Sequence, residues 1–157
     1  MSLYLTLKWI HILSSVALVG TGFGTAYFMF FANRSAVVPA QAVVTRLVVR
    51  ADLWFTTPAG IVQPVTGIWL ASLAGFALTE PWLLASIALY VFAAVCWFPV
   101  VWLQLRMAAM AKHASESGEA LPGAYYRYAK YWELLGYPAF VAMLGIFYLM
   151  VHKPGLG

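Results

Sequence analysis

Lys8 and His11 lie three residues apart near the start of a long apolar stretch, LYLTLKWIHILSSVALVGTGFGTAYFMFFANR, which covers residues 3–34. At 100° per residue, a helix places both on one stripe that continues through Ser15 and Gly22. Ionisable side chains in a membrane-embedded bundle are costly and usually face its interior or a polar cavity. The pattern therefore predicts a polar or cofactor-binding face on the first helix.

The leading functional hypothesis for this face is axial ligation of haem b by His11. Imidazole is a standard ligand of haem iron, and the interiors of helix bundles hold such cofactors. In this hypothesis Ser15 and Gly22 leave space for the macrocycle, and Lys8 pairs with a propionate. Three alternatives stay open for His11: a neutral imidazole hydrogen-bonded to Ser14, Ser15 or a neighbouring helix, a proton relay, and a copper ligand.

A six-coordinate haem needs a second ligand, and the sequence offers several. His152 ends the last apolar stretch on the same side of the membrane as His11, and Met150 lies nearer the required depth. A two-fold dimer could instead bring two copies of His11 together, and a five-coordinate haem needs no second ligand. Gln63, close to the middle of another apolar stretch, is expected to hydrogen-bond between helices or to contact a quinone carbonyl or the cofactor edge.

The composition of the chain places these residues in a membrane. Of its 157 residues, 64% are hydrophobic and 9% are charged, against roughly 25% charged residues in soluble domains. Four uncharged stretches hold 25, 27, 25 and 19 residues, and one bilayer crossing needs about 20 apolar residues. The sequence therefore predicts an all-α polytopic membrane protein, a four-transmembrane-helix bundle that forms a single domain over residues 1–157. The predicted transmembrane helices cover about residues 3–31, 55–77, 82–106 and 133–152.

The basic residues are concentrated around the two segments that connect these helices, 32–54 and 107–132. Seven of the nine Lys and Arg residues lie in or directly beside them, so the positive-inside rule makes both segments cytoplasmic loops. Both termini are then periplasmic, and the cell inner membrane is the expected location. Since topology explains the net charge of +4, no nucleic-acid partner is expected.

Each of these two loops has a predicted local structure. The first contains PAQAVVTRLVVRAD, whose spacing predicts a basic amphipathic helix or a cytoplasmic extension of the second transmembrane helix. The second contains KHASESGEALPG, whose polar composition predicts an irregular loop, followed by an aromatic and basic return to the membrane.

Three stretches of the chain resemble a known family: KWIHILSSVALVGTGFG at the start, TTPAGIVQPVTGIWL in the second helix and YLMVHKP at the end. Together they are similar to the small bacterial integral-membrane proteins grouped as domain of unknown function 2269. This resemblance implies a four-helix inner-membrane protein and no particular activity. The Trp-Ile-His start and the aromatic run ending at Arg34 are more distantly similar to membrane-bound, haem-containing protoporphyrinogen oxidases and copper-resistance D-type proteins. That similarity implies a haem or metal role for His11.

These observations predict three functions, in descending order. The first is a haem-b-binding redox or electron-transfer protein that works with a quinone or a redox partner. The second is a non-enzymatic membrane subunit or assembly partner, and the third is a small oligomeric transporter. The lipid bilayer is a partner in each case, and a homodimer or a membrane complex is compatible with all three. Hydrolases and kinases are not expected, because the sequence has no paired carboxylates, Ser-His-Asp set or phosphate loop.

Overall fold

The computed structural model describes residues 2–154, which are helical over most of their length and contain no β-strand. Five α-helices and one π-helical segment follow one another along the chain. The α-helices are α1 (Leu3–Arg34), α2 (Val38–Ala51), α3 (Thr57–Leu73), α4 (Pro81–Ser117) and α5 (Gly123–His152), and the π-helical segment (Asp52–Thr56) joins α2 to α3. The all-α prediction is confirmed.

Local residue chemistry explains the ends of α1 and the start of α2. The Ser2 side chain caps α1 by accepting a hydrogen bond from a backbone N–H of the first turn. Ala36 has a φ of 55°, a left-handed conformation in which the chain changes direction after α1. Pro39 then lies in the first turn of α2, where its missing N–H costs no helical hydrogen bond.

Two prolines shape the long helix that α2, the π-helical segment and α3 form together. Pro58 has no N–H to donate to the carbonyl four residues earlier. The backbone before it forms a wider, π-helical turn, in which the Thr57 N–H donates to the carbonyl of Asp52, five residues earlier. Pro64 likewise leaves the Gly60 carbonyl without its helical partner. The Tyr90 hydroxyl of α4 donates to that carbonyl, so the freed acceptor becomes a contact between α3 and α4.

The main core lies at one end of the bundle, where the end of α1, α2, the second half of α4 and the first half of α5 meet. Its buried side chains are Met29, Val48, Leu103, Met107, Ala111, Ala114, Leu121, Tyr125, Ala129 and Trp132. We call this the basic end, because the segments that meet there carry most of the Lys and Arg residues. At the opposite, His11 end, a smaller cluster of Ala71, Trp82 and Leu83 joins α3 to α4.

Three helices are long and apolar enough to cross a membrane, by length and composition: α1, α4 and α5. The predicted span at 55–77 corresponds to the end of the π-helical segment and to α3, which has 17 residues and ends at Leu73. Gly75, with a φ of 78°, follows in the turn to α4. A membrane protein with three candidate spans is therefore supported, and the fourth crossing stays a prediction.

The predicted loop at 107–132 is mostly helical, which corrects the sequence-based bounds. α4 continues to Ser117, and α5 begins at Gly123. Packing outweighs the polar composition here, because the helical spacing of this segment places residues such as Ala111 fully inside the core. Gly118, with a φ of 71°, supplies the left-handed residue that ends α4.

The predicted loop at 32–54 contains α2, so the helix predicted over PAQAVVTRLVVRAD is confirmed. α2 buries Gln41, Thr45 and Val48 at helical spacing, and it exposes Arg46 and Arg50. Because helical backbone continues from α2 into α3, the amphipathic helix is also an extension of the apolar helix that follows it.

Candidate functional site

His11 lies between α1 and α3 with both ring nitrogens hydrogen-bonded. Its Nδ1 is 2.8 Å from the Thr66 hydroxyl, and its Nε2 is 3.1 Å from the side-chain nitrogen of Gln63. The Ser14 hydroxyl, almost one turn further along α1, donates to the side-chain oxygen of Gln63. These four side chains form the His11 network, which links α1 to α3.

The bonding pattern of this network fits one neutral form of the imidazole. The Thr66 hydroxyl lies 2.7 Å from the Val62 carbonyl and donates to it, so towards His11 it acts as an acceptor and Nδ1 carries the proton. Nε2 then accepts from the Gln63 amide, whose oxygen in turn accepts from Ser14. Both ring nitrogens therefore have partners of the right kind, as polar groups inside a bundle require.

Gly67 allows the imidazole to lie this close to α3. A β-carbon at this position would come within 3.1 Å of His11 Cε1, closer than ordinary van der Waals contact. Gly60, seven residues earlier and on the same face of α3, is the point that Tyr90 approaches from α4. The small residues of α3 thus mark where neighbouring helices make their polar contacts with it.

The predicted cofactor-binding residues divide into two sets. His11 and Gln63 belong to the network. Lys8 is exposed, and Ser15 bonds to a carbonyl of its own helix at 2.7 Å. A β-carbon at Gly22 would meet nothing within 4 Å among the described residues, so none of these three is brought against the imidazole.

The predicted second ligands lie on α5 and are engaged elsewhere. Met150 packs against the apolar cluster around Trp82. The exposed His152 ring stacks on Tyr148, with 4.1 Å between the ring centroids. Within residues 2–154, no group of three His, Cys, Asp or Glu side chains could hold a metal ion.

In this arrangement neither ring nitrogen of His11 is free to ligate iron. Ligation of iron needs a free ring nitrogen, and here Nδ1 is bonded to Thr66 and Nε2 to Gln63. A haem at Nε2 would require the Gln63 amide to move away. The donor set as it stands suits a neutral histidine that joins two helices, or one that exchanges protons with its hydrogen-bonding partners.

A second polar group, which the sequence-based site did not include, lies around Asp52. The Asp52 carboxylate is 6% exposed and accepts a hydrogen bond from Thr56 at 2.8 Å. The Gln104 carboxamide of α4, 4% exposed, lies beside it, and the Gln104 oxygen has no hydrogen-bond partner among the described residues. We call these three residues the Asp52 group.

The protonated form of Asp52 is favoured by its surroundings. Burial raises the pKa of the Asp52 carboxyl above its usual range, and the hydrogen bonds from Thr56 and Gln104 offset this only in part. Neither salt bridge among residues 2–154 involves Asp52. A buried acid without a cation is an unusual and costly feature.

One face of α3 connects the Asp52 group to the His11 network. Thr56, Gly60, Gln63 and Gly67 recur at intervals of three or four residues, so they share one side of the helix. From Asp52 to the network the helix covers about 21 Å. We call this face, with the side chains that contact it, the polar line.

Two side chains of α4 contact the polar line, Tyr90 at Gly60 and Gln104 at Asp52. Tyr90, Trp97 and Gln104 are spaced by seven residues and therefore lie on one side of α4. The indole N–H of Trp97 is buried and, like the Gln104 oxygen, has no partner among the residues that the structure describes. Such atoms mark positions where bound water is expected.

Comparison with known proteins places the chain in a family. No curated protein and no solved structure matches it significantly, and the more distant similarity to haem-containing oxidases and copper-resistance proteins is not shown. A family model described as "Predicted integral membrane protein (DUF2269)" matches residues 5–154. This match spans nearly the whole chain and includes both polar groups, so the chain belongs to the DUF2269 family of predicted integral membrane proteins.

Proposed function

We propose that this membrane protein transfers protons along the polar line, with the His11 network and the Asp52 group as its two proton-holding ends. The observation that supports this function best is that both groups lie on one face of a single helical backbone, from Asp52 to Gly67. Ionisable residues inside membrane bundles are rare, and they commonly mark proton relays.

His11 and Asp52 are suited to hold a proton in different ways. When the Gln63 amide moves off Nε2, this nitrogen can accept one proton from water and return it to water, so the ring alternates between its neutral and its protonated form while Nδ1–H stays bonded to Thr66. At the other end, a protonated Asp52 carboxyl becomes a hydrogen-bond donor. The Gln104 side-chain oxygen beside it has no donor among the described residues. Each end therefore has a neutral resting state that a single proton can enter or leave.

Hydroxyl groups and water bridge the interval between the two ends. The Tyr90 hydroxyl lies at Gly60, between Thr56 and Gln63 along α3. The unpartnered Trp97 and Gln104 atoms offer bonds to water on the α4 side. A bound water needs two to four polar partners, and water-mediated bonds cover spans too long for direct contact.

The proposed topology follows from the charge distribution. The positive-inside rule places the basic end in the cytoplasm and both termini in the periplasm of a cell with an inner membrane. Residues 55–73, the end of the π-helical segment and α3, form a continuous helical backbone of about 28 Å, which is close to a hydrocarbon core of about 30 Å. In this proposal α3 is the fourth crossing, and the polar line runs across the bilayer.

Proton flux into proteoliposomes tests this function. The purified protein is reconstituted around the pH dye pyranine, and a potassium gradient with valinomycin supplies the driving potential. We expect flux above that of protein-free liposomes, and its loss in Asp52→Asn and in His11→Phe. Glu116→Gln is the matched control, because it neutralises an exposed carboxylate of α4 and should leave the flux unchanged. Flux that survives Asp52→Asn, or wild-type flux equal to that of protein-free liposomes, contradicts the proposal.

The redox and subunit hypotheses make different predictions for the same preparation. A haem-b protein with His11 as axial ligand would show a reduced-minus-oxidised visible spectrum that His11→Ala abolishes. Such a spectrum would replace the proton-transfer proposal. A non-enzymatic subunit would co-purify with a defined complex and would give no flux on its own.

A further inference from the structure

A wide apolar groove runs between α1 and the long helix formed by α2 and the π-helical segment. It encloses about 1020 Å³, and most of its lining is apolar. Phe28 and Leu47 form part of its walls, and Trp54, 73% exposed, lies at its edge. The groove lies beside the basic end of the bundle, and no residue of α4 or α5 lines it.

This groove continues towards the His11 end. A second cavity of about 310 Å³ lies between α1 and α3, and it shares Trp54 and Phe55 with the first. Its far end is lined by Ile10 and Leu13. From Arg50 to Val62 the two cavities follow the long helix without a break for about 18 Å, which is close to the depth of one leaflet, about 15 Å. The groove can therefore hold an extended acyl chain.

The mouth of the groove is positively charged. Arg50 lines the groove and is exposed, and Arg46 lies one turn earlier on α2 and is also exposed. Within residues 2–154 neither guanidinium has an ion-pair partner. By contrast, Arg34 near the same end is bound by Glu133 through two bonds of 2.8 and 3.1 Å. The two arginines of α2 are therefore the cations available to an anion at this position.

We propose that this groove binds one anionic phospholipid, with an acyl chain along α1 and the phosphate at Arg50 and Arg46. Apolar walls at membrane depth suit a hydrocarbon chain, and arginine recognises phosphate through paired N–H donors. Basic residues beside a membrane helix attract anionic headgroups. This inference does not depend on proton transfer: Asp52 and His11 line neither cavity, and Ser14 is the one member of the His11 network that lines the second.

Native mass spectrometry of the full-length protein tests the proposal. The protein in detergent is titrated with phosphatidylglycerol and, separately, with phosphatidylcholine of the same acyl chains. We expect preferential retention of phosphatidylglycerol, and about fivefold weaker binding of that lipid by Arg50→Gln. Arg127→Gln, which removes an exposed arginine outside the groove, is the control and should bind as the wild type does.

A second variant separates the acyl-chain contact from the headgroup contact. Ala17→Trp places an indole in the second cavity, on the path proposed for the acyl chain, and we expect it to weaken the binding of both lipids. Val141→Trp places the same side chain at an exposed position on α5 and should have no effect. Equal retention of the two lipids by the wild type, or equal effects of Arg50→Gln and Arg127→Gln, would overturn the proposal. So would a co-purified quinone in place of phospholipid, or a stable dimer that buries Leu47.

Discussion

Replacement of Thr66 by valine tests the hydrogen bond on which the description of His11 depends. Valine keeps the size of the side chain and removes the acceptor for His11 Nδ1, which is 2.8 Å away. Interhelical hydrogen bonds in membrane proteins contribute about 0.6 kcal/mol on average and up to about 1.7 kcal/mol. Thr66 is 6% exposed, and the ring packs closely against Gly67, so water cannot easily replace the lost partner. We therefore expect a cost of about 1–1.5 kcal/mol in the free energy of unfolding.

Unfolding in mixed micelles at increasing mole fraction of dodecyl sulphate, followed by tryptophan fluorescence, measures this cost. Thr25→Val is the matched control, because the Thr25 hydroxyl bonds only to carbonyls of its own helix, at 2.8 and 3.2 Å. A double-mutant cycle with His11→Phe isolates the pair energy. If Thr66→Val costs no more than Thr25→Val, or if the effects of Thr66→Val and His11→Phe simply add, the assignment of this bond and of the neutral tautomer is wrong.

Two further predictions concern α3 and the Asp52 group. Tyr90→Phe leaves the Gly60 carbonyl, which Pro64 deprives of its helical partner, without a donor, and should lower the free energy of unfolding by about 1–3 kcal/mol. The loss should be smaller in a Pro64→Ala background, where the N–H of residue 64 can donate to this carbonyl. Equal costs in the two backgrounds, measured by the same unfolding assay, would refute this account. Asp52 has a raised pKa in the folded state, so folded protein binds more protons than unfolded protein between the ordinary carboxyl pKa and the raised value. Wild-type stability should therefore fall as pH rises through that window, and Asp52→Asn should lack this fall when melting temperatures are compared from pH 4 upwards.

The fold was predictable from the sequence where hydropathy or spacing decides the structure. Long uncharged stretches identify α1, α4 and α5 as candidate spans, and the spacing in PAQAVVTRLVVRAD identifies α2. The extension of α4 to Ser117 was not predicted, because polar residues dominate KHASES. The signal was present in Met107, Ala111 and Ala114, which recur at helical spacing and are buried, but small apolar residues in a polar segment are easily read as loop.

The candidate site was predictable only in part, because a single sequence does not give the register between helices. The unusual positions of His11 and Gln63, polar side chains within apolar stretches, could be read directly. Their contact could not, since it depends on how α1 and α3 are aligned. Asp52 was missed because it was treated only as the charged residue that precedes the uncharged stretch 53–79. The four-residue interval from Asp52 to Thr56, just before Pro58, is the local pattern that could have indicated it.

The carbonyl of Gly60 has a consequence for how the chain enters the membrane. In the proposed topology, α3 on its own would carry into hydrocarbon a backbone acceptor that Pro64 leaves without a donor. The missing donor, the Tyr90 hydroxyl, comes from α4, which follows after a short turn. Insertion of α3 and α4 together, as a helical hairpin, removes this penalty. Biogenesis of the third helix is therefore coupled to that of the fourth, and a chain cut between them would leave α3 poorly held in the bilayer.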